Sequence, residues 1–407
     1  MERMELLAPA GDLEKLKIAV DYGADAVYLG GEAFGLRAGA RNFTEDEMRE
    51  GVEYAHRRGK KVHLTVNIFA HNGDMDEFPG YFNRIKDIPF DAFIAADPGV
   101  ICAVRELLPD AEIHLSTQAN TTNYRSAAFW RGQGVKRVVC AREMSLDEIR
   151  DMRKRIPDDL ELEAFVHGAM CISYSGRCLL SNFMTGRDSN RGLCAHPCRY
   201  QYHLMEEKRP GEYFPIEEDE RGSYLLNSKD LCMIGHIPDL ADAGLSSLKI
   251  EGRMKSIFYV ATVVGAYRRA LDAFYRDPQH YAFDPAWLHE LSKVSNRRFT
   301  TGFYYGKPTG EDQNYETGGY FGDYLFVGLI KQYDPASGTA LVEQRNKITL
   351  GDTVEIFGPG TEPFSQTIKH MNDADGQPIT EAPHAQQLVY IPMDRPVTEK
   401  CMVRKRK

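Results

Sequence analysis

Short apolar or β-branched runs alternate with polar loops and amphipathic stretches of 10 to 17 residues along the first two-thirds of the chain. Eight such runs stand out: Glu5–Ala10, Ala26–Gly30, Val62–Asn67, Ala92–Ala96, Glu112–Gln118, Arg137–Ala141, Glu161–His167 and Ser247–Glu251. Strand-like runs separated by helical periodicity predict parallel strands joined by crossover helices. In Asp12–Val20, for example, Leu13, Leu16, Ile18 and Val20 form an apolar stripe behind Asp12 as N-cap. Thr44 and Glu47 have the spacing of a capping box. Eight units in about 275 residues predict an α/β fold of the (β/α)8, TIM-like type rather than an open doubly wound sheet, which usually has fewer strands. Such a sheet often carries a Gly-rich phosphate loop after its first strand, and Pro9-Ala10-Gly11 is no such loop.

The regular spacing breaks between the seventh and eighth runs, where 79 residues separate His167 from Ser247. Insertions at the carboxyl ends of barrel strands build active sites, so residues 171–235 are the expected site-bearing insertion. Its acidic stretch Glu206–Arg221 reads as a solvated excursion. A long helix over Ser256–Phe274 completes a barrel domain of residues 1–275. Residues 276–321, aromatic, Gly-rich and Pro-punctuated, with Phe303-Tyr-Tyr-Gly-Lys307 and Tyr315–Tyr320, read as an ordered linker. Residues 322–407 predict a small antiparallel β-barrel with strands at Leu325–Ile330, Ala340–Glu343, Asp352–Phe357, Gln387–Ile391 and Lys400–Arg404.

A composition of 43% hydrophobic and 27% charged residues in 407 fits a well-cored globular protein of two domains. The net charge of −9 argues against a surface made for indiscriminate nucleic-acid binding, so any RNA site is a local basic patch. Candidates are Arg187, Arg191 and Arg199 in the insertion, Arg297 and Arg298 in the linker, and Lys400 with Arg404–Lys407 at the end. No apolar run approaches the roughly 20 residues of a membrane span, and Met1 leads directly into a strand-like run, so a soluble cytoplasmic protein is expected.

In that compartment grouped cysteines are metal ligands or catalytic thiols rather than disulfides. Five of the eight cysteines, Cys171, Cys178, Cys194, Cys198 and Cys232, fall in the insertion, separated by six, fifteen, three and thirty-three residues. None of these gaps is the two-residue gap of zinc knuckles. An iron–sulfur cluster tolerates irregular spacing, and by spacing alone a cluster, zinc and unligated redox thiols all stay open. Cys102, Cys140 and Cys401 lie in helix or strand patterns and read as buried packing residues.

The run Glu163–Ser181, through Phe165, Gly168, Ala169, Cys171, Gly176, Cys178 and Leu180, resembles the signature of peptidase family U32. Asn182–Arg199, Asn227–Cys232 and Ser247–Ser256 are similar to the branch of that family that hydroxylates tRNA, and the likeness extends to the opening Glu5–Asp12. The resemblance implies oxygen-independent formation of 5-hydroxyuridine at the tRNA wobble position, with prephenate as hydroxyl source and a [4Fe–4S] cluster. Other members hydroxylate 23S ribosomal RNA or the ubiquinone ring. The family's cluster ligands carry onto Cys171, Cys178 and Cys194. Branches differ between Cys198 and Cys232 for the fourth; Cys232 is taken, since a partner from a separate segment would close the insertion over the barrel mouth.

Strand ends supply the other candidates: Asn67, Gln118, Arg142 with Glu143, and Glu251 with Arg253. A donor with two carboxylates calls for a cationic fork such as Arg253 or Arg142, with Arg37 and Arg41 as further options. His167 reads either as a contact to substrate or ligands or as a structural hydrogen-bonder, and His196 as an orienting or solvated group. A peptidase would need a His-Glu-x-x-His or Gly-x-Ser-x-Gly motif, and neither is present. A Cys171–His167 dyad would leave four neighbouring cysteines unexplained, and a zinc-stabilised RNA-binding module would have no need of a full barrel.

Overall fold

Eight parallel strands close on themselves in the computed structural model, which describes residues 3–35, 42–171, 173–199, 203–204, 214–215, 228–309, 312, 320–359 and 361–407. They are β1 Glu5–Pro9, β2 Ala26–Gly30, β3 Lys61–Val66, β4 Ala92–Ala95, β5 Ile113–Leu115, β6 Arg137–Val139, β7 Glu161–Gly168 and β8 Ser247–Ile250. Each pairs with the next, and β8 pairs with both β7 and β1, which closes the barrel. Helices cover both the start and the return of each strand, so β2 and β4 are buried along their whole length, as near-continuous apolar runs require. The helices are α1 Leu13–Asp21, α2 Glu45–His56, α3 Asn72–Ile85, α4 Pro98–Leu107, α5 Tyr124–Gly132, α6 Leu146–Arg155, α7 Leu180–Thr185, α8 Ile237–Asp242, α9 Ile257–Arg276 and α10 Pro285–Ser292. Asp12 caps α1 by accepting from the Lys15 N–H at 2.9 Å, and Thr44 with Glu47 forms the expected capping box.

Two local departures matter for the site. The expected fifth strand ends early at Leu115, because Thr117–Ala119 forms a 3-10 turn that ends at Asn120 in the left-handed region (φ 53°). The short strand Asp230–Cys232, which the sequence pattern did not predict, pairs antiparallel with the end of β7, matching Leu231 to Gly168 and Cys232 to His167. Cys102 is a correction: it is exposed, because α4 buries Val100, Ile101 and Val104 and turns Cys102 outward. Cys140 and Cys401 are buried as expected.

The barrel interior is unusually polar for a fold normally filled by branched apolar side chains. Arg137, Glu163, Lys249, His63 and His114 are all buried there. Glu163 is fully buried; its carboxylate accepts from Lys249 Nζ at 2.8 Å and from Arg137 at 3.1 Å.

The C-terminal region is a six-stranded antiparallel sheet: β9 Tyr324–Asp334, β10 Thr339–Gln344, β11 Thr353–Gly358, β12 Thr361–Thr367, β13 Leu388–Pro392 and β14 Met402–Arg406, in the order β12-β11-β14-β9-β10-β13. Its two edges approach through Gln366, which donates to Pro392 O at 2.8 Å and accepts from the Asp394 N–H at 2.9 Å. Closure is by a side chain rather than by a strand ladder, so the expected barrel is an antiparallel sheet. The sheet docks on the barrel through Phe258 stacked on Phe326 and through a buried charge cluster.

In that cluster Arg404, with no exposed surface, grips Glu290 through two bonds of 2.6 and 2.8 Å and reaches Glu355 at 2.7 Å. Lys293 completes it at 3.0 Å from Glu290 and 2.9 Å from Glu355. Arg404 was expected to be part of a basic RNA-binding tail, and its burial corrects that reading. Lys405 pairs with Asp352, and Lys400 with Asp21. Arg404→Met should cost about 3 kcal/mol, since it leaves two buried carboxylates facing one lysine. Urea denaturation of wild type and variant measures it.

Candidate functional site at the barrel mouth

Arg253 follows β8 and is buried. Its guanidinium donates to Thr65 Oγ1 at 3.3 Å and to Asn42 Oδ1 at 2.9 Å, both neutral oxygens. It lies so close to the end of β2 that a Cβ on Gly30 would sit 2.4 Å from a guanidinium nitrogen. A side chain at position 30 would push the guanidinium off the backbone it rests against.

Across the mouth, Arg142 stacks over the Phe165 ring at 3.9 Å. It donates to Ala169 O at 2.8 Å and approaches Glu251 Oε2 at 3.5 Å, a long contact for an ion pair. Its Nε is buried and has no hydrogen-bond partner among the described residues. On the third side Asn67 Nδ2 donates to Ser116 Oγ at 3.3 Å, and Ser116 donates to Gln118 Oε1 at 3.1 Å. The Asn67 carbonyl is likewise buried without a partner. Five candidates, Asn67, Gln118, Arg142, Glu251 and Arg253, thus stand at the carboxyl ends of barrel strands. Thr65, Asn42 and Ser116, which position them, carried no sequence signal. Neighbouring Glu143 has its carboxyl pushed up by burial.

His167 is turned away from this group. Strand alternation from Glu163 and Phe165 aims it into the mouth, but Lys249 pairs with Phe165 while Ile250 pairs with His167, so Val166 is an extra residue. That bulge rotates the next side chain to the opposite face. The His167 ring consequently packs among Tyr259, Tyr267 and Phe299, with centroids 5.6 to 5.9 Å away. Burial and then the charge of Lys255 lower its pKa to about 3, so it is neutral at physiological pH. Cys232, paired with His167, is also buried, and burial pushes its thiol up to about 12.

The other four insertion cysteines lie on residues 171–198. Cys171 is exposed, and Cys178, Cys194 and Cys198 are partly so. Cys194 Sγ accepts from the His196 N–H at 3.4 Å. The segment is fastened to the first turn of α3 and to the connection before it: Arg191 grips Asp74 through two bonds of 2.7 and 2.8 Å, and the Phe69 N–H donates to Asn190 O at 3.4 Å. That contact holds the Asp74 carboxyl down to about 2. Gly176, in the left-handed region at φ 75°, packs against Phe69 and Gln118, which lays the segment over the mouth. Four or five thiols are a soft donor set of the chemistry iron–sulfur groups use. Among the described residues no three His, Cys, Asp or Glu side chains are gathered closely enough to hold a metal ion.

Arg191, expected to meet RNA, is thus committed to Asp74, and Arg297 is buried against Asp230 and the Tyr320 ring. Arg177, Arg187, Arg298, Arg406 and Lys407 are exposed. Arg37, Arg41, the Arg199 side chain, Asn227 and, apart from Phe214–Pro215, the stretch Glu206–Arg221 lie outside the described residues, as do residues 315–319 of the linker. No helix among the described residues is long and apolar enough to cross a membrane.

The model of Peptidase family U32 matches residues 11–314, and that of the Peptidase family U32 C-terminal domain matches residues 322–404. The chain is 46% identical over 406 residues to tRNA hydroxylation protein P1 of Bacillus subtilis (strain 168), covering 100% of this chain and 96% of that protein. It is 38% identical over 434 residues to tRNA hydroxylation protein P of Escherichia coli (strain K12), covering 97% and 94%. It is also 32% identical over 378 residues to a protein of Porphyromonas gingivalis (strain ATCC BAA-308 / W83) named collagenase, covering 90% and 89%.

Proposed function

Because the chain belongs to peptidase family U32, we propose that it is a tRNA hydroxylase that forms 5-hydroxyuridine at the wobble position, taking the hydroxyl group from prephenate and carrying a [4Fe–4S] cluster. The observation that carries this reading is the near end-to-end similarity to two proteins named for tRNA hydroxylation. The hydrolytic alternative needs a base for Cys171, and His167 is unsuited to that role, being neutral, enclosed by aromatic rings and turned toward α9.

Cys171, Cys178 and Cys194 would hold the cluster, with Cys232 as the proposed fourth ligand; Cys232 lies opposite His167, buried beside Tyr267, and would have to turn from that side to join them. When bound, such a group supplies one-electron or Lewis-acid chemistry beside the mouth. The chain's own residues do the rest. Arg142, with a buried Nε still to be satisfied, and Arg253, positioned by Thr65 and Asn42, present two guanidinium groups for a dicarboxylate donor. Asn67, Ser116 and Gln118 offer amide and hydroxyl groups for a pyrimidine edge. The cysteine segment over the mouth limits the access of water.

Purified anoxic protein, reconstituted with iron and sulfide, should bind about four irons per chain and convert wobble uridine to 5-hydroxyuridine only when prephenate is supplied. Cys232→Ser should lose the iron and Cys198→Ser should keep it; the reverse moves the fourth ligand to Cys198. Arg253→Lys should lower kcat/KM for the donor about tenfold, the worth of one charge-assisted hydrogen bond. Stoichiometric zinc without iron, or hydroxylation of 23S ribosomal RNA in place of tRNA, would refute the reading.

A further inference from the structure

Twelve large hydrophobic side chains are exposed among the described residues, and five of them, Tyr174, Leu179, Phe183, Met184 and Leu193, lie on the cysteine-bearing segment. Phe183 is the most exposed at 88% and Leu179 follows at 67%. The local structure fixes this display. Leu179 is the N-cap of α7 and Phe183 stands one turn later, its N–H donating to Leu179 O at 2.9 Å, so the two side chains are neighbours on one face. Ser181 is the buried residue of that helix and accepts from the Ala195 N–H at 3.0 Å, so α7 is anchored by a small polar side chain while its large apolar ones face solvent. A helix oriented in this way does not serve the core.

The exposed charges that flank it in sequence are basic, and the one carboxylate beside them, Asp188, is partly buried and accepts from Asn182 of α7. Arg177 and Arg187 flank the apolar face in sequence and both are exposed, on a chain whose net charge is −9. Arg177 lies 5.2 Å over the Phe69 ring, on the same connection that anchors the segment, and no described group pairs with Arg187. Exposed aromatic and aliphatic surfaces interleaved with arginine are what unpaired nucleotides require, with rings for the bases and cations for the phosphates. A protein partner of an acidic chain would not need this local basic bias. The segment that carries this surface packs on Gln118 at the mouth through Gly176, three residues before Leu179.

We propose that the outer face of α7, with Phe183 and Leu179 at its centre and Arg177 and Arg187 beside it, is a stacking surface for unpaired bases of the RNA loop whose target nucleotide enters the mouth. The inference rests on the tRNA-hydroxylase reading and adds where the rest of the loop is held. An extruded nucleotide leaves its neighbours unstacked, and an apolar face next to the mouth replaces the stacking they lose.

The test uses reconstituted full-length protein and an RNA hairpin with 2-aminopurine at an unpaired loop position beside the target uridine. Stacking on the protein should quench the fluorophore as the hairpin binds. Phe183→Ala should abolish the quench and weaken binding about tenfold, the usual worth of one stacked base, while Phe183→Trp restores both. Thermal unfolding should be the same in all three, since the side chain is exposed. Unchanged quenching and affinity in Phe183→Ala would overturn the proposal, as would a wild-type dimer that this variant dissociates, which would make a second copy the occupant. If wild type hydroxylates tRNA yet Phe183→Ala binds normally, the surface alone is wrong. Phe183-dependent stacking without hydroxylation of any tRNA would support the surface and refute the assigned reaction.

Discussion

Glu163→Ala is expected to cost about 3–5 kcal/mol of folding stability, the penalty for leaving a buried ion without its partner. Glu163 is fully buried in the barrel and is the carboxylate that Lys249 Nζ meets at 2.8 Å; Lys249 otherwise faces the rings of Tyr28 and Phe165 at 4.6 and 5.6 Å. Arg137, the other partner, keeps Glu5 at 2.5 Å and Glu161 at 2.6 Å, so the orphaned charge is the lysine's. The Lys249 and Arg137 cations hold the Glu163 carboxyl well below its usual range against the opposing effect of burial. A Glu163→Leu/Lys249→Met double variant removes both charges and should recover most of the loss, because an apolar replacement of similar volume pays no desolvation. Urea titrations of the single and double variants measure the coupling. A single-variant cost below about 1 kcal/mol, the range of an exposed pair, would refute the account.

Stability should also fall steeply as pH drops from about 6.5 to 5, before carboxylates in an unfolded chain begin to protonate. His63, His114 and His167 are all buried. Burial, then the neighbouring His114, lowers His63 to about 3, and burial with the charge of Lys255 lowers His167 to about 3. His114 is held well below its usual value by burial and then by Arg137, against the opposing charge of Glu163. The rings of His63 and His114 meet edge to face at 4.8 Å, an arrangement that two cations would disrupt. Above about 6.5 both folded and unfolded chains hold these rings neutral, so stability is full. Below it the unfolded chain takes up protons that the folded chain refuses, His63 and His167 down to about pH 3. Each histidine then costs about 1.4 kcal/mol per pH unit, so the three together cost about 4. Denaturation midpoints at pH 7, 6 and 5 check this, and His63→Phe should lower the slope by about one proton. Equal stability at pH 7 and 5 would contradict it.

The barrel was legible because its strands are buried on both faces and so appear as unbroken apolar runs, bounded by caps such as Asp12 and Thr44. Position of charge was less legible. Glu163 opens the family-like run, and nothing in that run tells that it anchors the barrel interior; Arg404 reads as a basic tail, yet its partner Glu290 lies 114 residues earlier in a helix. Sequence gives the sign of a charge but not its depth. His167 admits two readings in the sequence, and what decides its orientation is a single extra residue, since the bulge at Val166 turns it from the mouth toward the rings of α9. The strand Asp230–Cys232 is only three residues long and pairs antiparallel within an otherwise parallel pattern, which left no periodicity to detect. By contrast, the position of Asn67, Gln118, Arg142, Glu251 and Arg253 at the carboxyl ends of the barrel strands follows directly from reading where each strand stops.

The measurement that bears most directly on the proposed function is mass spectrometry of nucleosides from the tRNA of cells deleted for this protein and any paralogue, then complemented with wild type. The account predicts that wobble 5-hydroxyuridine and its derivatives vanish on deletion and return with wild type, but do not return with Cys171→Ser or Arg253→Ala. If those nucleosides are equally abundant with and without the protein, it is not a tRNA hydroxylase.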